Sequence, residues 1–285
     1  MIEIPDAQSH RAVADWLEIH LSIFAASISK AELSSYLEGL SGDESTEAFL
    51  SSVWNELLSR QSQYMRPPFI VSERRIIKNT AVTYGVEYLT CLILSLYGVN
   101  DHDISGRRMR SAKLFERLSG FALQEYLGGR FFLFGWPALD GTEPAIQARI
   151  QQVSTELNER FVEAPAATYK DRGVDIIAWK PFAEGRSCQC VILAQCAAGK
   201  DWRNKTTTLP MDAWTKYIHW ASNPIKAFFV PCVIPDNLWL EASWEAGILF
   251  DRIRIMNLLN GGIPDEQLNQ DLLTWTTEQL SEHEV

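Results

Sequence analysis

Metal-binding cysteine pairs, long apolar runs and an excess of positive charge are all missing from this chain. Its five cysteines, Cys91, Cys188, Cys190, Cys196 and Cys232, form no C-x-x-C pair. The one C-x-C, Cys188 and Cys190, has no second Cys or His pair at ligand spacing, because His10, His20, His102, His219 and His283 are scattered. The pattern argues against structural zinc and for reduced, mostly buried thiols. No window reaches the roughly 18 consecutive apolar residues of a membrane span, and the opening MIEIPDAQSHRA has neither the basic nor the apolar segment of a secretory signal. The expectation is a cytoplasmic protein with no membrane association. Lys and Arg number 26 against 36 Asp and Glu, for a net charge of −10. That balance argues against coating nucleic acid by bulk electrostatics, since phosphate affinity comes from clustered cations that release counterions. A local basic groove stays open. Its candidates are Arg74, Arg75 and Lys78; Arg107, Arg108, Arg110, Lys113 and Arg117; and Lys200, Arg203 and Lys205. The first cluster reads equally well as a solvated face.

What is present suffices for one large domain or two modest ones: 46% of the 285 residues are hydrophobic, with 10 Trp and 13 Phe to fill a core. SHRAVADWLEIHLSIFAAS, KAELSSYLEGL and STEAFLSSVWNELLSRQSQY carry apolar residues at three- and four-residue intervals and predict helices. PPFIVSERRIIKNT breaks that rhythm and predicts a short hairpin or wing. TAVTYGVEYLTCLILSLYGV is a strongly apolar helix, and the polar NDHDISGRR after it is the candidate linker. Beyond it the character changes. SAKLFERLSGFALQEYLGG predicts an amphipathic helix, RFFLFGW a strand, and EPAIQARIQQVSTELNERF a helix inserted before the next strand. The strands GVDIIAWK and CQCVILAQCA come next, then the loop GKDWRNKTTT, the helix PMDAWTKYIHWAS and the strand KAFFVPCVI. LWLEASWEAGILFDRIRIMNLL and the tail predict further helices. The reading is α/β: a helical N-terminal domain over residues 1–105, serving a partner or DNA, precedes a domain over 106–285. The core order of the latter is helix, three strands, helix, strand.

Two polar residues stand out in the greasy strands. If GVDIIAWK and CQCVILAQCA form a hairpin, Asp175 at the start of one lies beside Gln195 near the end of the other. By alternation Asp175 shares a face with Ile177 and Trp179, and Gln195 with Val191, Leu193 and Ala197. A carboxylate and an amide oxygen are hard ligands of the kind Mg²⁺ accepts. An ion held there would polarise a phosphodiester, and a nearby Lys would orient water or stabilise developing charge. The plainer reading stands beside it. Asp175 then finishes a turn begun at Asp171, Gln195 is a hydrogen-bonded amide, and Glu116 is a surface acid paired with Lys113 or Arg117. Trp202 reads as a loop anchor.

KDRGVDIIAW followed by VILAQCAAGK resembles the core of the PD-(D/E)xK nuclease superfamily, most closely its Mrr-type restriction endonuclease branch, over roughly residues 106 to 235. The resemblance implies a restriction-endonuclease-like core in which Asp175 and Gln195 bind Mg²⁺ or Mn²⁺, and Glu116 of LFERL supplies the acid of the opening helix. Glu156 and Glu159 are fallback acids. The sequence departs from the pattern at Ala197, where the family has Lys. Lys200, with Lys205 next, is the candidate for a displaced lysine. The implied activity is metal-dependent hydrolysis of DNA phosphodiester bonds, with a role in defence against foreign DNA. Ala197 and the net acidity motivate an alternative, a catalytically inactive nuclease-fold subunit acting in binding or assembly. DNA and a protein partner or second copy are the expected partners.

Overall fold

The structure, a computed structural model, describes residues 2–41, 47–98, 107–135, 146–165 and 172–284. Two compact units emerge, one formed by Met1–Asn100 with Arg252–Val285 and the other by Asp101–Asp251.

The first unit begins with α1 (His10–Ile23), β1 (Ser27–Ser29), α2 (Lys30–Ser41) and α3 (Glu47–Gln63). The Ser9 hydroxyl caps α1 by accepting from Ala12 N at 3.3 Å, which satisfies one of the exposed N–H groups of its first turn. The expected hairpin forms as β2 (Phe69–Val71) and β3 (Arg75–Lys78), paired antiparallel, and β1 adds to the outer side of β3. The apolar helix is α4 (Val86–Tyr97). The candidate linker at 100–108 lies almost wholly outside the described residues.

In the second unit the elements run α5 (Arg107–Leu127), β4 (Arg130–Leu133), α6 (Ile146–Leu157), β5 (Arg160–Phe161), β6 (Ile176–Lys180) and β7 (Cys190–Cys196). A 3₁₀ turn at Trp202–Lys205 leads to α7 (Met211–Tyr217), β8 (Ile218–His219), β9 (Ile225–Phe229), α8 (Asp236–Ala246) and β10 (Ile248–Phe250). The sheet order is β10-β9-β7-β6-β4. β4, β6 and β7 are antiparallel neighbours, whereas β9 lies parallel to β7 and β10 parallel to β9. This is a mixed α/β unit with a mixed sheet. Its helix, strand, strand, strand, helix, strand order, with α6 inserted after the first strand, is the order the sequence predicts.

Each face of the sheet has its own cover. Ile177, Trp179, Val191 and Leu193 pack with Ile150, Val153 and Leu157 of α6 and Trp214 and Tyr217 of α7. The alternate residues, Ile176, Ala178, Ile192 and Ala194, are fully buried on the other side, where α5 lies against β4, β6 and β7. Phe121 of α5 meets Phe131 of β4 edge to face, and Tyr126 of α5 does the same with Phe250 of β10.

Two expectations are corrected. Residues 106–285 do not form one unit, because α9 (Arg252–Leu258) and α10 (Glu266–Glu282) pack with the first hundred residues, α10 and α9 both lying on α4. The helix expected over LWLEASWEAGILFDRIRIMNLL is broken by β10. Gly247 ends α8 at φ +79, a conformation natural to glycine, and a Cβ there would lie 2.2 Å from Lys226 O.

Candidate functional site

The site begins with an irregularity at the start of β6. The β6–β7 register pairs Ile176 with Ala194 and Lys180 with Cys190, and continued regularly it would set Asp175 opposite Gln195. Val174 and Ile177, three residues apart, nonetheless share one apolar cluster, so the alternation slips by one residue between them, as in a β-bulge. Arg172 at φ +51 and Gly173 at φ +74 turn the chain into this bulge. Backbone hydrogen bonds then pin Asp175 in place. Asp175 N donates to Ala194 O at 2.9 Å, and Asp175 O accepts from Phe134 N at 2.7 Å and Gly135 N at 3.0 Å. The Asp175 carboxylate turns along the end of β7, where its Oδ2 accepts from Cys196 N at 2.7 Å.

From the other side α5 delivers two charged residues one turn apart, a spacing that makes them neighbours on a helix surface. Lys113 Nζ lies 2.7 Å from Glu116 Oε2, and the two residues are 7% and 8% exposed. Gly135, just past β4, abuts both: a Cβ there would stand 2.4 Å from Glu116 Oε2 and 2.8 Å from Lys113 Nζ. The backbone thus approaches the ends of both side chains closely, and a side chain at this position would have to displace them. Cys196 lies among these groups. Burial pushes its thiol well above the usual range, and the Asp175 and Glu116 carboxylates push it further; a hydrogen bond with Ser119 and the Lys113 charge act the other way. The thiol therefore stays protonated at neutral pH. Lys113, Glu116, Ser119, Asp175 and Cys196 thus form one polar cluster on the α5 face of the sheet.

Gln195 is not brought to it. Gln195 adjoins Cys196 in β7 and so points to the opposite face. There its Nε2 donates to Thr208 Oγ1 at 2.9 Å, and the Thr208 hydroxyl faces both Gln195 Oε1 at 3.1 Å and Lys205 O at 2.8 Å. The expected meeting of Asp175 with Gln195 is replaced by two separate sets of hydrogen bonds, because the bulge directs the carboxylate to Cys196. Ala197 is buried with Trp202, Phe228 and Val230, so Trp202 is a loop anchor. Lys200 is exposed in the turn after β7, as Lys205 is at the end of the 3₁₀ turn. The fallback acids are engaged elsewhere. Glu156 accepts from Gln152 on α6, and Glu159 accepts from Cys188 N and Ala221 N, joining the β7 approach to the residues after β8. Among the described residues, no three His, Cys, Asp or Glu side chains gather as a metal-holding group.

Sequence reasoning missed Lys113 and Cys196 as members of the site. Lys113 is signalled by its position three residues before Glu116. Cys196 becomes legible only once the bulge shows which β7 face the carboxylate joins.

No family model matches the chain, and neither does any curated protein sequence. Among solved structures it is similar to the restriction endonuclease FokI bound to DNA, at 8% identity and a TM-score of 0.21, over 92% of this chain and 47% of that one. A second FokI structure gives 7% identity and a TM-score of 0.22, over 91% and 46%. The chain spans just under half the length of these neighbours.

Proposed function

We propose that residues 101–251 form a metal-dependent nuclease domain that hydrolyses DNA phosphodiester bonds, with Glu116 and Asp175 as the residues that hold the ion. The observation that carries this reading is that Glu116 from α5 and Asp175 from the bulge before β6 meet at Gly135, whose N–H donates to Asp175 O at 3.0 Å and whose Cα faces Glu116 Oε2 so closely that a Cβ would stand 2.4 Å from it. The surrounding element order, helix, three strands, helix, strand, is the one expected of the restriction-endonuclease-like core that the sequence resembles.

The donor set suits a hard cation. Mg²⁺ and its substitute Mn²⁺ are commonly held by one or two carboxylates, with waters and phosphate oxygens completing the shell. When bound, such an ion supplies Lewis acidity at the phosphodiester and a water that ionises near neutral pH. The chain itself supplies position. Asp175 is fixed through its carbonyl, its N–H and its Oδ2, so its carboxylate enters the reaction already oriented. Glu116 is aimed by α5 and by its bond to Lys113. Lys200, on the turn after β7, has the reach and exposure to meet a phosphate from solvent. A role in defence against foreign DNA, and a partner-binding role for the first unit, belong to the same proposal.

A second reading, an inactive nuclease-fold subunit used in binding or assembly, is favoured by the engaged Gln195 amide and by the buried alanine at position 197. Plasmid cleavage in Mg²⁺ separates the two. The nuclease reading expects cleavage by the full chain that falls to background in Glu116→Gln and Asp175→Ala while both variants remain folded. Absence of cleavage by the unaltered chain across duplex and single-stranded DNA favours the subunit.

A further inference from the structure

The lysine at the heart of the cluster is in an unusual position for a site meant to take up a cation. Lys113 Nζ sits 2.7 Å from Glu116 Oε2 with both residues nearly enclosed, and its charge extends to Cys196, where the fields of Asp175 and Glu116 also meet. Gly135 backbone closes one side of the pair so tightly that even a methyl group would strike both partners. An ion taking Glu116 as a ligand therefore meets a carboxylate that already carries a positive partner. In a shielded site the repulsion between the two cations is strong.

We infer that Lys113 is a resident counter-cation: it occupies Glu116 when no divalent ion is present and competes with the ion for that carboxylate, so that the site loads only above a threshold ion concentration. The inference rests on the metal reading of Glu116 and Asp175 given above and adds a regulator to it. By linkage, the ion and the Lys113 charge oppose each other reciprocally. Removing the charge strengthens ion binding, even where it harms the subsequent reaction. A purely structural Lys113–Glu116 pair has no such effect, since its loss would loosen Glu116 and weaken binding.

Calorimetric titration of the full chain with MnCl₂ tests this. Lys113→Met, and Lys113→Gln as a variant that can still donate a hydrogen bond to Glu116, are expected to bind Mn²⁺ more tightly than the unaltered chain, on the order of tenfold. Lys113→Arg, which keeps the charge, should bind as the unaltered chain does. Adding Asp175→Ala to Lys113→Gln should abolish the gain. If Lys113→Met fails to fold, Lys113→Gln carries the result alone. Equal or weaker binding by Lys113→Gln, with binding still lost in Asp175→Ala, overturns the counter-cation and leaves the nuclease reading intact. Tighter binding that ignores Asp175→Ala also overturns it. No Mn²⁺ binding by the unaltered chain or by any variant overturns both.

Discussion

Gln195 and Gly135 show how single positions divide the work of this site. Gln195 is 8% exposed and its amide bonds to Thr208, which is exposed and also bonds to Lys205 O, so Gln195→Ala should cost only the lost hydrogen bonding, about 0.5–1.5 kcal/mol of stability. Urea unfolding measures that loss. Mn²⁺ affinity should not change, and a marked fall in affinity without a fall in stability would restore Gln195 as a ligand. Gly135→Ala acts in the opposite sense. Its new methyl group meets the Glu116 and Lys113 side-chain ends at 2.4 and 2.8 Å, so these flexible ends should be displaced, lowering Mn²⁺ affinity at little cost in stability. Legibility at this scale was mixed. Of the two proposed ligands, Asp175 stood out in the sequence as a polar residue beside an apolar run, whereas Glu116 entered only through the resemblance of LFERL to the family's opening helix. Asp175 could not be assigned to a sheet face, since strict alternation placed it with Ile177, and only the slip between Val174 and Ile177 corrects that. Lys113 was visible as one of a basic cluster, but a helix-surface cation and a buried counter-charge look alike in one dimension.

At the scale of elements, the order α5, β4, α6, β6, β7, α7, β9 was readable from period changes in the apolar pattern, because long amphipathic helices and short β-branched runs differ clearly. Two pieces were not. The β5–β8 pair is only two residues long on each side, too short for any periodicity. β10 hides inside a run whose composition suits a helix throughout, and what breaks it is Gly247 pressed against Lys226 O. Gly247→Ala should therefore destabilise the second unit by several kcal/mol, more than the ~1 kcal/mol by which alanine stabilises an ordinary helical position. A thermal melt decides it, and a stabilised variant would contradict the role given to that turn.

For the whole molecule the consequential finding is that the tail completes the first unit. Arg60 Nη1 reaches Asp15 Oδ1 and Glu18 Oε1, both at 2.6 Å. Arg252 Nη2, just after the second unit ends, reaches the same two oxygens at 2.8 and 3.1 Å. Tyr88 and Ser95 donate to the remaining carboxylate oxygens. No sequence pattern links residues so distant, so the domain boundary drawn at 105 could not anticipate the return of 252–285. Arg252→Met should leave the buried carboxylates undercompensated and cost roughly 3–5 kcal/mol, seen as lost hydrogen-exchange protection in α1 and α3. Acid acts on the same cluster. Burial alone would push the Asp15 carboxyl up, but Arg252 and Arg60 beside it bring it to about 2 from an ordinary 3.8. This depressed value contributes about 2 kcal/mol that is present above pH 4 and is lost as pH falls through 2. Unfolding free energy measured from pH 5 down to pH 2 should fall accordingly, and a flat profile in that window would contradict the assignment. The central claim, that Glu116 and Asp175 share a divalent ion, is tested most directly by the anomalous density of a crystal soaked in MnCl₂. The account predicts a peak within coordination distance of both carboxylates; a peak at Gln195 instead, or none between Glu116 and Asp175, would contradict it.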